Sequence, residues 1–302
     1  MSQKIEENAL YIPVSGGHRL HLRRFTGDRE GPVVFMLHGA IENGRIFYSR
    51  SGKGLAPWLA GQGFDVFVAD LRGRGSSRPA AGRGWDSSQT QAITEELPAL
   101  SEFIQDCRPG ARQHWLAHSW GGVLMAATLA RIPACRERVA SLCFFGSKRA
   151  VRVWNLTRVL YIDLVWCGLC RAVTPLAGYL PAKAMKIGAD NESRTVHAQG
   201  AAWVRARDWV DPEDGFDYAA VLRDVTLPPA WFLAGAGDQA LGHPEDVKRF
   251  MAECGPGEQH YTLLSRDNGN ARDYGHIDML TAPKAMEDHF PQVVSWLRRH
   301  EG

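Results

Sequence analysis

Five short runs of nearly unbroken apolar residues recur along this chain: Pro32 to Leu37, Phe64 to Ala69, Gln113 to Ala117, Arg138 to Phe145 and Ala230 to Ala234. None alternates apolar with polar, so each is expected to be a strand covered on both faces, as in the interior of a parallel sheet. Helical patterns separate them. Between Gln89 and Cys107 the apolar positions Ile93, Leu97, Leu100, Ile104 and Cys107 fall on one helix face, and Gly121 to Arg131 reads as a small-residue helix. Ahead of these, Ala9 to Val14 and Arg19 to Phe25 read as strands joined across Ser15-Gly16-Gly17-His18. After Ala234 come a helix from about His243 to Cys254, a strand from Gln259 to Leu264 and a last helix from Pro283 to His300. The expected fold class is α/β: a mostly parallel, doubly wound sheet with right-handed crossovers. Ligands on such sheets sit at the carboxyl ends of the strands.

The rhythm stops between residues 147 and 222, where no buried strand appears and Trp154, Trp166, Trp203 and Trp209 are interspersed with arginines. That segment reads as a helical cap inserted into one domain, with 1–146 and 223–302 as the core. Its most apolar part, Leu156 to Leu180, is interrupted by Arg158, Asp163 and Arg171, which argues against a stable membrane span. The N-terminus, Met1 to Asn8, is polar and lacks the apolar core of an export signal, so a cytoplasmic protein is expected. Lys plus Arg (35) nearly balance Asp plus Glu (33) and the two signs are interspersed, which leaves no basic footprint for nucleic acid. The six cysteines are scattered; Cys167 and Cys170 have metal-ligand spacing but no second pair nearby, so they read as buried cap residues and no metal is expected.

One string sits directly between a strand and a helix: Leu116-Ala117-His118-Ser119-Trp120-Gly121-Gly122. A serine on a sharp, strained turn needs small residues two before and two after it, and Ala117 and Gly121 meet that need. Taken alone, the string also fits a serine capping a helix. It resembles the nucleophile elbow of the α/β-hydrolase superfamily, with alanine in the first glycine position. A serine hydroxyl needs a base, and the base needs an orienting acid. Asp238 lies in Gly235-Ala236-Gly237-Asp238-Gln239, just after a strand, and His276 lies in Asp273-Tyr274-Gly275-His276-Ile277-Asp278, before the last helix. The order Ser119, Asp238, His276 is the one this superfamily uses. Asp70 and Asp278 compete for the acid's place; Asp278 reads better as a helix cap.

The resemblance implies more. Phe35-Met36-Leu37-His38-Gly39-Ala40 is similar to the His-Gly motif that ends the third strand in this family, which implies an oxyanion hole made by the backbone N–H groups of Ala40 and Trp120. His38 would then orient that loop. Asp70-Leu71-Arg72-Gly73-Arg74-Gly75-Ser76 is similar to a structural loop common in the family. The end of the chain looks like that of lipase-like members, including the acid-lipase type. A serine hydrolase cleaving small-molecule carboxylic esters through an acyl-enzyme, with no cofactor, follows as the expectation. Trp154 and Trp166 are expected to line an apolar acyl pocket beneath the cap. The same triad would also serve a thioesterase, an acyltransferase, a peptidase or a carbon–carbon bond hydrolase. A non-catalytic ligand-binding protein on the same fold is the remaining alternative.

Overall fold

The computed structural model describes residues 5–27 and 31–301. Residues 1–4 of the polar N-terminal stretch lie outside them. The strands are β1 (Glu6–Val14), β2 (His18–Thr26), β3 (Val33–Leu37), β4 (Asp65–Asp70), β5 (Gln113–His118), β6 (Val139–Phe145), β7 (Tyr179–Leu180), β8 (Glu192–Ser193), β9 (Ala230–Gly235) and β10 (Gln259–Leu264). Eight of them form one sheet in the order β1-β2-β4-β3-β5-β6-β9-β10, and β7 pairs with β8 as a separate small hairpin. β2 is antiparallel to β1 and β4, while every pairing from β4 across to β10 is parallel.

Every residue of β3, β4, β5, β6 and β9 is buried, which is why their sequences lack alternation. The alternation survives inside the structure instead. Val33, Phe35 and Leu37 enter the core on one face, with Ile93, Leu97 and Val123 from the covering helices. Val34 and Met36 enter the core on the other face, with Leu55, Leu59, Val293 and Leu297. The sheet is thus sandwiched as expected for an α/β fold.

Two helices depart from their sequence readings. The helix over residues 89–107 is continuous but takes a wider π turn at Ala92–Glu96. Pro98, just inside the following α-helical part, has no N–H for the carbonyl four residues back, and the wide turn lies on that side of it. The expected helix from Pro283 to His300 is two pieces, a 3₁₀ turn at Pro283–Met286 and an α-helix at Phe290–Arg299, the latter opening with Pro291 in its first turn.

Between β6 and β9 the chain forms a 22-residue helix, Leu156–Ala177, then the β7–β8 hairpin and the helices Arg194–Arg205 and Tyr218–Asp224. The last of these packs Tyr218 and Leu222 into the sheet-domain core. Leu156–Ala177 has the length and apolarity to cross a bilayer, with mean hydropathy 1.5 in a window that is 22% buried. Of the three charges within it, Arg158 sits in the first turn, Asp163 is paired with Arg158 and Arg205, and Arg171 is exposed. In this fold the helix lies over the carboxyl ends of the strands, with Ile162, Val165 and Trp166 in the wall of the cavity beneath.

Candidate active site

β5 ends at His118, and the helix Trp120–Arg131 begins one residue later, so Ser119 must reverse the chain alone. It does so at φ 52°, ψ −123°, a left-handed conformation rare for a residue with a side chain. The Ser119 N–H donates to the Phe145 carbonyl at the end of β6 (2.8 Å), which fixes the turn to the sheet. The small residue at 121 is a steric requirement, because a Cβ there would lie 2.5 Å from the His38 carbonyl oxygen. Ser119 also caps the helix by position, but its hydroxyl makes no capping bond.

That hydroxyl lies 2.9 Å from Nε2 of His276, whose Nδ1 lies 2.6 Å from Oδ2 of Asp238. The three come from loops after β5, β9 and β10, all at the same edge of the sheet. Gly146 admits the imidazole: a Cβ there would stand 3.0 Å from Nδ1 of His276. Asp238 is buried, and its other oxygen accepts the Leu241 N–H at 2.9 Å. Burial opposes its charge, but the His276 imidazole overrides that penalty and holds the carboxyl down at about 2. Burial lowers the His276 pKa below the usual histidine value, against the pull of Asp238, and the nearby His118 and Lys148 charges push the same way as burial.

The competing acids are engaged elsewhere. Asp70 meets Nδ1 of His21 at 2.8 Å and accepts the Gly44 and Ser76 N–H groups, which makes it the anchor of its own loop. Asp278 accepts the Gly275 N–H and pairs with Arg272 at 2.7 Å. It opens the short helix Asp278–Thr281 rather than capping the final one.

Neither the Ala40 N–H nor the Trp120 N–H has a protein acceptor among the described residues. Both residues line the cavity that holds Ser119 and His276. His38 accepts the Leu71 N–H at Nε2 (3.2 Å), so its Nδ1 carries the proton donated to the Gly39 carbonyl (2.8 Å). It thereby ties the loop after β3 to the loop after β4.

A second acid–histidine pair, absent from the sequence reading, lies beside the first. The Glu42 carboxylate accepts the Gly39 N–H and a hydrogen bond from His118 Nδ1, each at 2.8 Å. Nε2 of His118 meets the main-chain carbonyl of His276 at 2.9 Å. Both partners are acceptors only, so both ring nitrogens donate and His118 is an imidazolium. Burial works against that charge, and Glu42 outweighs it to raise the His118 pKa. The Glu42 carboxyl in turn sits at about 2, burial being overcome by His118. The sequence offered one signal, a histidine directly before the serine with a glutamate three residues past Gly39.

The cavity has a volume of about 680 Å³, within the usual range for small-molecule sites. Its apolar wall includes Leu124, Ile162, Val165, Trp166 and Val204. Trp166 is part of that lining. Trp154 is outside the lining and 76% exposed, two residues before the helix Leu156–Ala177 begins. The indole that lines the cavity in its place is Trp120, while Trp203 and Trp209 are buried in the core behind it.

A family model described as the alpha/beta hydrolase fold matches residues 32–162. A curated relative, triacylglycerol lipase 2 of Arabidopsis thaliana, is 26% identical over 129 residues, or 37% of this chain. The match spans 31% of that protein's length. Among solved structures, the alpha/beta hydrolase GrgF from a Penicillium species superposes with TM-score 0.63 at 16% identity, covering 98% of this chain and 99% of that one. An esterase of Pyrococcus furiosus superposes with TM-score 0.61 at 15% identity, covering 99% and 92%. The chain has the α/β-hydrolase fold.

Proposed function

We propose that this chain is a serine hydrolase of small-molecule carboxylic esters that works through an acyl-enzyme. The observation that carries the reading is one imidazole, His276, within 2.9 Å of the Ser119 hydroxyl and 2.6 Å of the Asp238 carboxylate. In the first step His276 takes the hydroxyl proton as Ser119 Oγ bonds to the ester carbonyl carbon. The developing oxyanion is met by the free N–H groups of Ala40 and Trp120, each such donor being worth roughly 3 kcal/mol in a well-studied hydrolase. His276 then protonates the departing alcohol, and water releases the acid by the same steps in reverse. Asp238 holds Nδ1–H and stabilises the imidazolium.

The apolar wall of Ile162, Val165 and Trp166 supports an acyl group with a hydrocarbon segment. The names of the relatives, an esterase and a lipase, agree with ester chemistry. A fluorophosphonate probe tests the nucleophile. Labelling that maps to Ser119 and disappears, together with ester turnover, in a folded Ser119→Ala variant is the expected result. Labelling at another residue, or none, contradicts the assignment.

A further inference from the structure

Among the described residues, the buried charges in the cavity wall are paired, with one exception. Arg72 meets Glu96 at 3.2 Å, Arg74 meets Glu192, and Glu42 meets His118. Lys148 lines the same cavity, is 94% buried by its 6% exposure, and has neither a hydrogen bond nor a carboxylate within ion-pair distance among the described residues. Its ammonium lies 5.9 Å from the ring centre of Trp120, the residue whose N–H the hydrolase reading assigns to the oxyanion hole. The carboxylates that act on it from a distance are already committed. Asp238 is held by His276, Asp246 by Arg249 and the Arg152 N–H, and Glu42 by His118.

An isolated ammonium is costly to bury, and proteins almost always pair it. The position is set by the fold, since Lys148 follows β6 three residues after Phe145, where Gly146 gives way to His276. The side chain is therefore delivered into the cavity beside the reacting centre with no hydrogen-bonding or carboxylate partner among the described residues, only the Trp120 ring near its ammonium. Burial lowers its pKa, against the distant pull of Asp238 and Asp246, and an anion arriving at the ammonium would restore the charge.

We propose that Lys148 is a specificity-determining residue that binds a carboxylate carried on the acyl chain of the substrate, so that the preferred ester is a half-ester of a dicarboxylic acid. This rests on the hydrolase reading above and narrows its substrate class. The hydrocarbon segment between the two carboxyl groups would lie against the apolar wall, with the scissile carbonyl at Ser119 and the far carboxylate at Lys148. Hydrolysis itself is unchanged: the acyl–oxygen bond breaks, the alcohol leaves with the proton from His276, and the distant carboxylate takes no part in bond making.

The test compares p-nitrophenyl hydrogen succinate, glutarate and adipate with the butyrate, valerate and hexanoate esters of equal length. For at least one length, kcat/KM for the anionic ester is expected to exceed that for its neutral counterpart by tenfold or more. Lys148→Met should lower that ratio at least tenfold, and Lys148→Arg should retain part of it. A ratio that Lys148→Met leaves unchanged, or a protein that favours every neutral ester, overturns the proposal. A binding arm separates this from failure of the hydrolase reading. Monomethyl glutarate should bind Ser119→Ala at least tenfold more tightly than Ser119→Ala/Lys148→Met, followed by tryptophan fluorescence. Equal binding by the two variants overturns the carboxylate site whether or not Ser119 reacts with a fluorophosphonate.

Discussion

The strands at the centre of the sheet and the helix that lies over their ends are both apolar in sequence and opposite in burial. β3 through β6 hide every residue, whereas Leu156, Leu160, Leu164, Leu169 and Leu176 of the cap helix are all exposed. These leucines recur at near-helical spacing and form an outer row, while Ile162, Cys167, Cys170 and Thr174 face inward and are buried. Apolar content alone does not say which side a residue takes. In the sheet both faces are covered, so phase does not matter; on the cap only one face is covered, and phase decides everything.

The largest effects should come from residues that the sheet positions. Asp238→Asn keeps a hydrogen-bonding group beside His276 but no longer fixes the imidazole tautomer, and turnover of an ester substrate should fall by about four orders of magnitude with the fold intact. Asp70→Asn and Asp278→Asn should cost far less in kcat/KM. Should either be the most damaging of the three in a stably folded protein, the acid has been assigned to the wrong loop. Next come the core side chains. Phe144 is fully buried between Phe232 and Phe250, and Phe144→Ala should lower unfolding stability by about 3–5 kcal/mol in urea titration.

The difference in legibility between the two regions has the same cause. Buried strands announce themselves through consecutive apolar residues, and the elbow announces itself through the steric need at Ala117 and Gly121. Asp238 and His276 could be read because each follows a strand at the same sheet edge. Glu42 and His118 could not, since 76 residues separate them and only the pairing of β3 with β5 brings their loops together. On the cap, Trp154 and Trp166 look equivalent in sequence, yet Trp154 precedes the helix and is exposed, whereas Trp166 lies inside the π-type winding over Val159–Cys170 and borders the cavity.

The Glu42–His118 pair makes a prediction of intermediate size through pH. In the proposed mechanism His276 acts as a base only when neutral, and burial sets its pKa below the usual histidine value, assisted by the His118 charge. The acid limb of the kcat/KM profile should therefore fall below the reference of about 6.5. His118→Gln removes a positive charge and leaves Glu42 unneutralised, while Asp238 and Lys148 remain. Both changes favour the protonated imidazole, so the limb should move to higher pH. A limb that stays in place would mean that the pair only braces the loop.

The smallest effects should come from the cap, and they divide its two faces. Trp166 borders the cavity and Leu164 points outward, two residues away on the same helix. If the inner face contacts the acyl chain, each added methylene raises kcat/KM until the space is full, by up to ~0.8 kcal/mol or about fourfold. Trp166→Ala should flatten that slope across p-nitrophenyl esters more than it lowers acetate hydrolysis. A purely structural tryptophan would depress every ester alike. Leu164→Ser and Trp154→Ala remove apolar surface that water already reaches, so each should change unfolding stability by no more than about 0.5 kcal/mol and leave the chain-length slope as it was. Thermal denaturation and the ester series together read both quantities. A slope that responds to Leu164→Ser or Trp154→Ala as strongly as to Trp166→Ala would mean that the outer row turns inward when substrate binds, and the contrast between a covered sheet and a one-sided cap would hold only for the unliganded protein.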